Sequence, residues 1–90
     1  MEKGGYVYII SDGESFKIGV SRDPESRLRT LQTANKKLLT IEHTEFKIKP
    51  YAVENYLKRR LQRYKTRGEW FTGLTLREIR VELLLCTEID

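Results

Sequence analysis

The 90-residue sequence holds one cysteine, one histidine, one tryptophan and two prolines, and these scarcities exclude several kinds of protein. A lone Cys86 cannot close an intramolecular disulfide or build a cysteine-based zinc cluster, so an intracellular, reducing compartment is the default expectation. No apolar run approaches the roughly 20 residues that cross a bilayer. Met1 is followed by Glu2, Lys3 and two glycines, not by the apolar core of a secretory leader. With 39% apolar and 33% charged residues, the composition is that of a globular protein and not of a disordered or membrane chain. The length suits one domain, residues 1–90, near the small end of what folds without staples.

Acidic residues are scarce in one particular place. The net charge is +4, yet residues 1–45 carry seven basic and seven acidic side chains and are neutral. Within 47–67, Lys47, Lys49, Lys58, Arg59, Arg60, Arg63, Lys65 and Arg67 face Glu54 alone, a local +7. Such a concentration is the electrostatic footprint of a polyanion ligand, and it is also compatible with a solvated helix face followed by a basic loop.

The two apolar runs "YVYII" at 6–10 and "FKIGV" at 16–20 flank Asp12-Gly13, the dipeptide that favours a tight hairpin because such turns need positive φ. Alternation puts Val7 and Ile9 on one face and Tyr6, Tyr8 and Ile10 on the other. Lys17 projects opposite to Phe16, Ile18 and Val20, and Gly19 leaves room for another backbone or a ligand. Both prolines fall where helices are expected to begin. Asp23 can cap a helix opened by Pro24, with Leu28 and Leu31 on one stripe. Pro50 opens a second helix, roughly 50–64, with Val53, Leu57, Leu61 and Tyr64 on one face. Between them "LLTIEHTEFKI" at 38–48 alternates like a third strand and holds His43. "KTRGEWF" reads as a loop. "TLREIRVELLLC" reads as a terminal helix, although periodicity alone leaves a strand open. The expected fold is α+β, in the order ββαβαα.

Hydrolysis of a phosphodiester needs an activated water, charge on the phosphate, a cation for the leaving oxygen and a carboxylate to hold that cation. Tyr6 and Tyr8 can hydrogen-bond or relay a proton. Lys17 and Arg27 are cations, and Arg27 can grip a phosphate through two nitrogens. Glu54 is a carboxylate in otherwise basic surroundings, and magnesium often takes only one or two carboxylates together with phosphate and water. Each residue also has a plainer reading. Tyr8 can pack on the sheet, Arg27 can belong to a solvated helix face, and Glu54 with Lys58 makes an ordinary i,i+4 pair.

Taken in order, "YVY", "KIG", Arg27 in the following helix and Glu54 in a later one resemble the GIY-YIG endonucleases. The resemblance runs from Gly5 to about Phe71. It is closest to the small branch associated with phages and mobile elements, in which Lys-Ile-Gly and a terminal Gly-Glu-Trp-Phe recur. It implies a three-stranded antiparallel sheet flanked by helices, and Mg²⁺- or Mn²⁺-dependent cleavage of one DNA strand. Carried over, Tyr8 helps to activate water, Arg27 stabilises the phosphate and Glu54 binds the metal. Lys17 stands where the family usually has tyrosine, as base or phosphate clamp, with Tyr6 beside the group. Arg22, Lys58, Arg59, Arg60, Arg63, Lys65 and Arg67 would contact nucleic acid.

Three departures support a second reading: Lys17 in place of tyrosine, Lys58 where many members have histidine, and no closing asparagine. On that reading the fold is kept as a nucleic-acid-binding or regulatory module that cuts weakly or not at all. In either case specificity has to come from this domain, a dimer partner or a separate protein.

Overall fold

The computed structural model describes residues 4–66 and 68–86. Strands β1 (Gly5–Ser11) and β2 (Ser15–Ser21) form the hairpin, followed by helix α1 (Pro24–Thr33), strand β3 (Thr40–Lys47) and helix α2 (Pro50–Arg60). A 3₁₀ turn (Gln62–Tyr64), strand β4 (Trp70–Thr72) and helix α3 (Leu76–Leu85) complete the chain.

The hairpin turn is made by its own side chains. Asp12 Oδ1 accepts from the N–H groups of Glu14 (2.9 Å) and Ser15 (2.7 Å), and Gly13 takes φ +99°. Partial burial pushes the Asp12 carboxyl up, but those two N–H groups and the charge of Lys37 outweigh it and hold it below its ordinary value. Helix α1 starts as the sequence indicates, with Asp23 accepting from Ser26 N–H and Pro24 in the first turn.

The sheet is antiparallel with strand order β3-β1-β2-β4, so β1 lies inside and is covered on both faces. Val7, Ile9 and Ile18 on one face pack with Val53 and Leu57 of α2, with Leu61 just after it, and with Ile79 and Leu83 of α3. Tyr8 and Ile10 on the other face pack with Leu39, and Leu28 and Leu31 of α1 close over them. Burying each such side chain contributes about 1.5–3 kcal/mol, and the two clusters together fix α1 and α2 on opposite sides of one sheet.

Four strands replace the expected three, and the element order is ββαβαβα. The loop expected at "KTRGEWF" contains β4, which pairs Phe71 with Phe16 and Trp70 with Lys17. Gly68 at φ +76° turns the chain back, and Thr66 donates to the Trp70 carbonyl through both its N–H (2.8 Å) and its hydroxyl (2.9 Å). Strand alternation then sends Phe71 into the α2–α3 core and Trp70 to the α1 side. Helix α2 is shorter than expected and passes into the 3₁₀ turn beyond Arg60. The terminal segment is a helix, because Thr75 and Glu78 form a reciprocal capping box that a strand could not use. Cys86 is buried. Among the described residues, no helix is long and apolar enough to cross a membrane.

Candidate active site

β4 pairs only with Ser15–Lys17, which leaves the outer edge of β2 from Ile18 onward without a strand partner. A hollow of about 250 Å³ lies at this open edge. Side chains from both faces of the sheet reach it: Tyr8 from β1, Lys17 from β2, Arg27 from α1, Tyr51 and Glu54 from α2, and Glu69 from the segment before β4.

Gly19 makes the approach of Tyr8 feasible. The two residues are register partners, and a Cβ at position 19 would fall on the Tyr8 ring and hydroxyl. With only hydrogen there, the phenol lies across β2 and lines the hollow while remaining 2% exposed. A glycine inside a strand costs conformational entropy, and here the space it leaves is filled by a phenol.

Lys17 is well covered, and its ammonium is 3.0 Å from Glu69 Oε1 and 5.9 Å from the centre of the Trp70 ring. The hydrogen bond from Lys17, with the charges of Lys17, Lys58 and Lys65, holds the Glu69 carboxyl below the usual carboxylate range. Glu54 is mostly covered and its Oε2 is 2.9 Å from Lys58 Nζ, the expected i,i+4 pair. The guanidinium of Arg27 is exposed and makes no hydrogen bond or ion pair among the described residues. Two cations, two carboxylates and two phenols thus face one space. Such a space can receive a phosphate on Arg27 and Lys17 with carboxylates close by.

Tyr6 is not among these residues. It is partly exposed, packs edge-on against Phe46 with ring centres 5.5 Å apart, and borders a different hollow with Arg22 and Pro24. His43 lies on β3, across the sheet from the cleft, and is 3.1 Å from Glu45. Tyr51 and Glu69 join the cleft although residue type alone does not single them out. Tyr51 is one helical turn before Glu54, and Glu69 belongs to the recurrent Gly-Glu-Trp-Phe, so both carried a signal.

The basic run divides around α2. Lys58, Arg59 and Lys65 border a second hollow that adjoins the cleft. Arg60 turns toward α3, 3.1 Å from Glu82, and Arg63 covers the Tyr64 ring at 5.0 Å. Arg22 lies just before α1, at the hollow that Tyr6 borders, and Arg67 lies outside the described residues. Helical geometry accounts for this split, since residues 58–60 point in directions about 100° apart.

A family model, the T5orf172 domain, matches residues 5–85, from the first residue of β1 to the last of α3. The chain belongs to the T5orf172 domain family. T5orf172 domains occur in nucleases of phages and mobile elements and in GIY-YIG-like proteins. No curated protein and no solved structure matches the chain. Every side chain of the open-edge cleft comes from within the T5orf172 match.

Proposed function

We propose that this T5orf172 domain is a metal-dependent DNA endonuclease of GIY-YIG type that hydrolyses a phosphodiester and nicks one strand. The observation that carries this reading is the convergence of Tyr8, Lys17, Arg27 and Glu54, from four different elements, on one hollow at the open edge of the sheet. Arg27, which has no ion-pair partner among the described residues, grips the scissile phosphate and stabilises charge on its oxygens. Lys17 supplies a second positive charge from the covered side of the cleft. The Tyr8 hydroxyl orients the attacking water and takes part in moving its proton.

The donor set suits a divalent cation. Among the described residues, no three His, Cys, Asp or Glu side chains gather in one place. The cleft nevertheless offers the carboxylates of Glu54 and Glu69, and Mg²⁺ commonly takes one or two carboxylates and completes its shell with phosphate and water. Bound by Glu54, Mg²⁺ or Mn²⁺ would neutralise charge on the leaving oxygen. The test is nicking of supercoiled plasmid with either ion. Glu54→Gln and Arg27→Ala should each abolish nicking while circular dichroism and Tm stay near those of the parent protein. Unchanged nicking by both variants overturns the reading.

One observation favours a second reading, a nucleic-acid-binding or regulatory module. Both carboxylates of the cleft are already paired with lysines, Glu54 with Lys58 and Glu69 with Lys17. Salt-sensitive DNA binding with no metal-dependent cleavage would favour that module.

A further inference from the structure

Next to the cleft is a larger hollow, about 390 Å³, walled by Asn55, Lys58, Arg59, Gln62 and Lys65 with Phe71 at its floor. Glu69 borders both spaces, so they adjoin. On the proposed endonuclease reading, we infer that this second hollow holds one unstacked nucleotide of the substrate strand, adjoining the phosphate bound in the cleft.

The wall is a stripe of α2 and the turn after it. Residues 55, 58, 59 and 62 recur at the i, i+3, i+4, i+7 spacing of one helix face, while Val53, Leu57 and Leu61 fill the core behind them. Asn55 and Gln62 are exposed, and neither side-chain amide makes a hydrogen bond among the described residues. An amide presents a donor and an acceptor side by side, the arrangement that pairs with a base edge. Arg59 and Lys65 make no salt bridge among the described residues, although the charge of Lys65 acts on Glu69, whereas Arg60, one residue along the same helix, is tied to Glu82. Of the cations that face the hollow, Arg59 and Lys65 are thus not held in a salt bridge among the described residues and can turn to phosphate.

Size and shape select the ligand. The volume lies in the range of small-ligand pockets, about 300–1,000 Å³, which is more than a bare phosphate needs and too little for a duplex. Asn55 and Gln62 line the side of an open hollow, which a base swung out of its stack can enter. Unstacking a base costs a few kcal/mol in a duplex and least where the strand is already single. The site therefore prefers a strand with an unpaired nucleotide next to the cleavage point.

The test is NMR titration of ¹⁵N-labelled protein without divalent cation, so that binding is read apart from cleavage and either reading can fail alone. The probes are inorganic phosphate, deoxyadenosine monophosphate, a short single-stranded oligodeoxynucleotide and a short blunt duplex. The mononucleotide and the single strand should shift the side-chain amides of Asn55 and Gln62 and the backbone at Phe71, while inorganic phosphate should leave the amides in place. The single strand should bind more tightly than the mononucleotide, because its next phosphate reaches Lys17 and Arg27. Replacing both amides, Asn55→Ala with Gln62→Ala, should weaken single-strand binding about tenfold and leave the affinity for inorganic phosphate unchanged. Any of four results overturns the inference: amides unmoved by every probe, amides moved equally by duplex and single strand, a mononucleotide as tight as the strand, or unaltered strand affinity in the double variant.

Discussion

Tyr8 lies across Gly19: the two face each other in the β1–β2 register, and the phenol fills the space that a side chain at position 19 would occupy. The absence of one Cβ thus takes a hydroxyl from an inner strand to the open edge of the sheet. Gly19→Ala should force the ring or the strand to move. Overpacking of this kind costs about 1–3 kcal/mol, and in a domain of this size each kcal/mol lowers Tm by roughly 4–8 °C. Tyr8→Phe keeps the ring and should retain nearly the parent Tm while losing most nicking. Equal activity in Tyr8→Phe and the parent protein would remove the hydroxyl from the chemistry.

The basic segment makes a prediction about salt. Each phosphate neutralised by a lysine or arginine releases a counterion and steepens the dependence of affinity on salt. Arg59→Ala and Lys65→Ala should each weaken DNA binding and reduce the log–log salt slope by about one. Arg60→Ala and Arg63→Ala should leave the slope unchanged, because those guanidinium groups are engaged by Glu82 and Tyr64 on the α3 side. A slope that falls equally in all four variants would mean that DNA covers both sides of α2.

These contrasts mark what the sequence discloses and what it does not. The hairpin is legible because Asp12 and Gly13 make their turn from local atoms, and α1 because Asp23 and Pro24 act within one helical turn. β4 is hidden because three residues are too few for an alternation to register. Its pairing depends on Phe16 and Lys17, more than fifty positions earlier. Tyr8, Lys17, Arg27 and Glu54 could be named from residue type and order, but their meeting at one edge depends on β4 stopping at Lys17. The membership of Glu69 follows from the same stop. The run of positive charge is visible as composition, and its division follows from the turn angle of a helix once α2 is in place.

Acid should act on three carboxyls held below their ordinary values. For Glu69 the cause is the Lys17 hydrogen bond. For Asp12 and Glu45, burial pushes upward, but backbone N–H groups at Asp12, and His43 with Lys47 at Glu45, outweigh it. A depressed carboxyl stabilises the fold above its unfolded pKa and loses that contribution as pH falls through the folded one. Tm should therefore be flat from neutral pH to about pH 5 as far as these groups are concerned and should fall below about pH 4. Asp12→Asn keeps an acceptor oxygen without the charge, so its Tm should fall less steeply with acid than that of the parent protein. Parallel curves for the two would show that the Asp12 charge contributes nothing.

The last prediction concerns the lysine that holds the metal candidate. Lys58 Nζ is 2.9 Å from Glu54 Oε2, so a cation arriving at Glu54 competes with an ammonium already there. Lys58→Gln removes that competitor and leaves an uncharged residue that suits a helix. An i,i+4 pair of this kind contributes about 0.3–0.5 kcal/mol, so Tm should barely change. If Glu54 carries the cation, less Mn²⁺ should give half-maximal nicking in Lys58→Gln, even though the loss of a positive charge weakens DNA binding. The two effects are separable, because affinity for DNA can be measured without Mn²⁺ and the Mn²⁺ titration can be run at saturating DNA. An unchanged Mn²⁺ requirement together with weakened binding would move the cation away from Glu54 and leave Glu69 as the remaining carboxylate of the cleft.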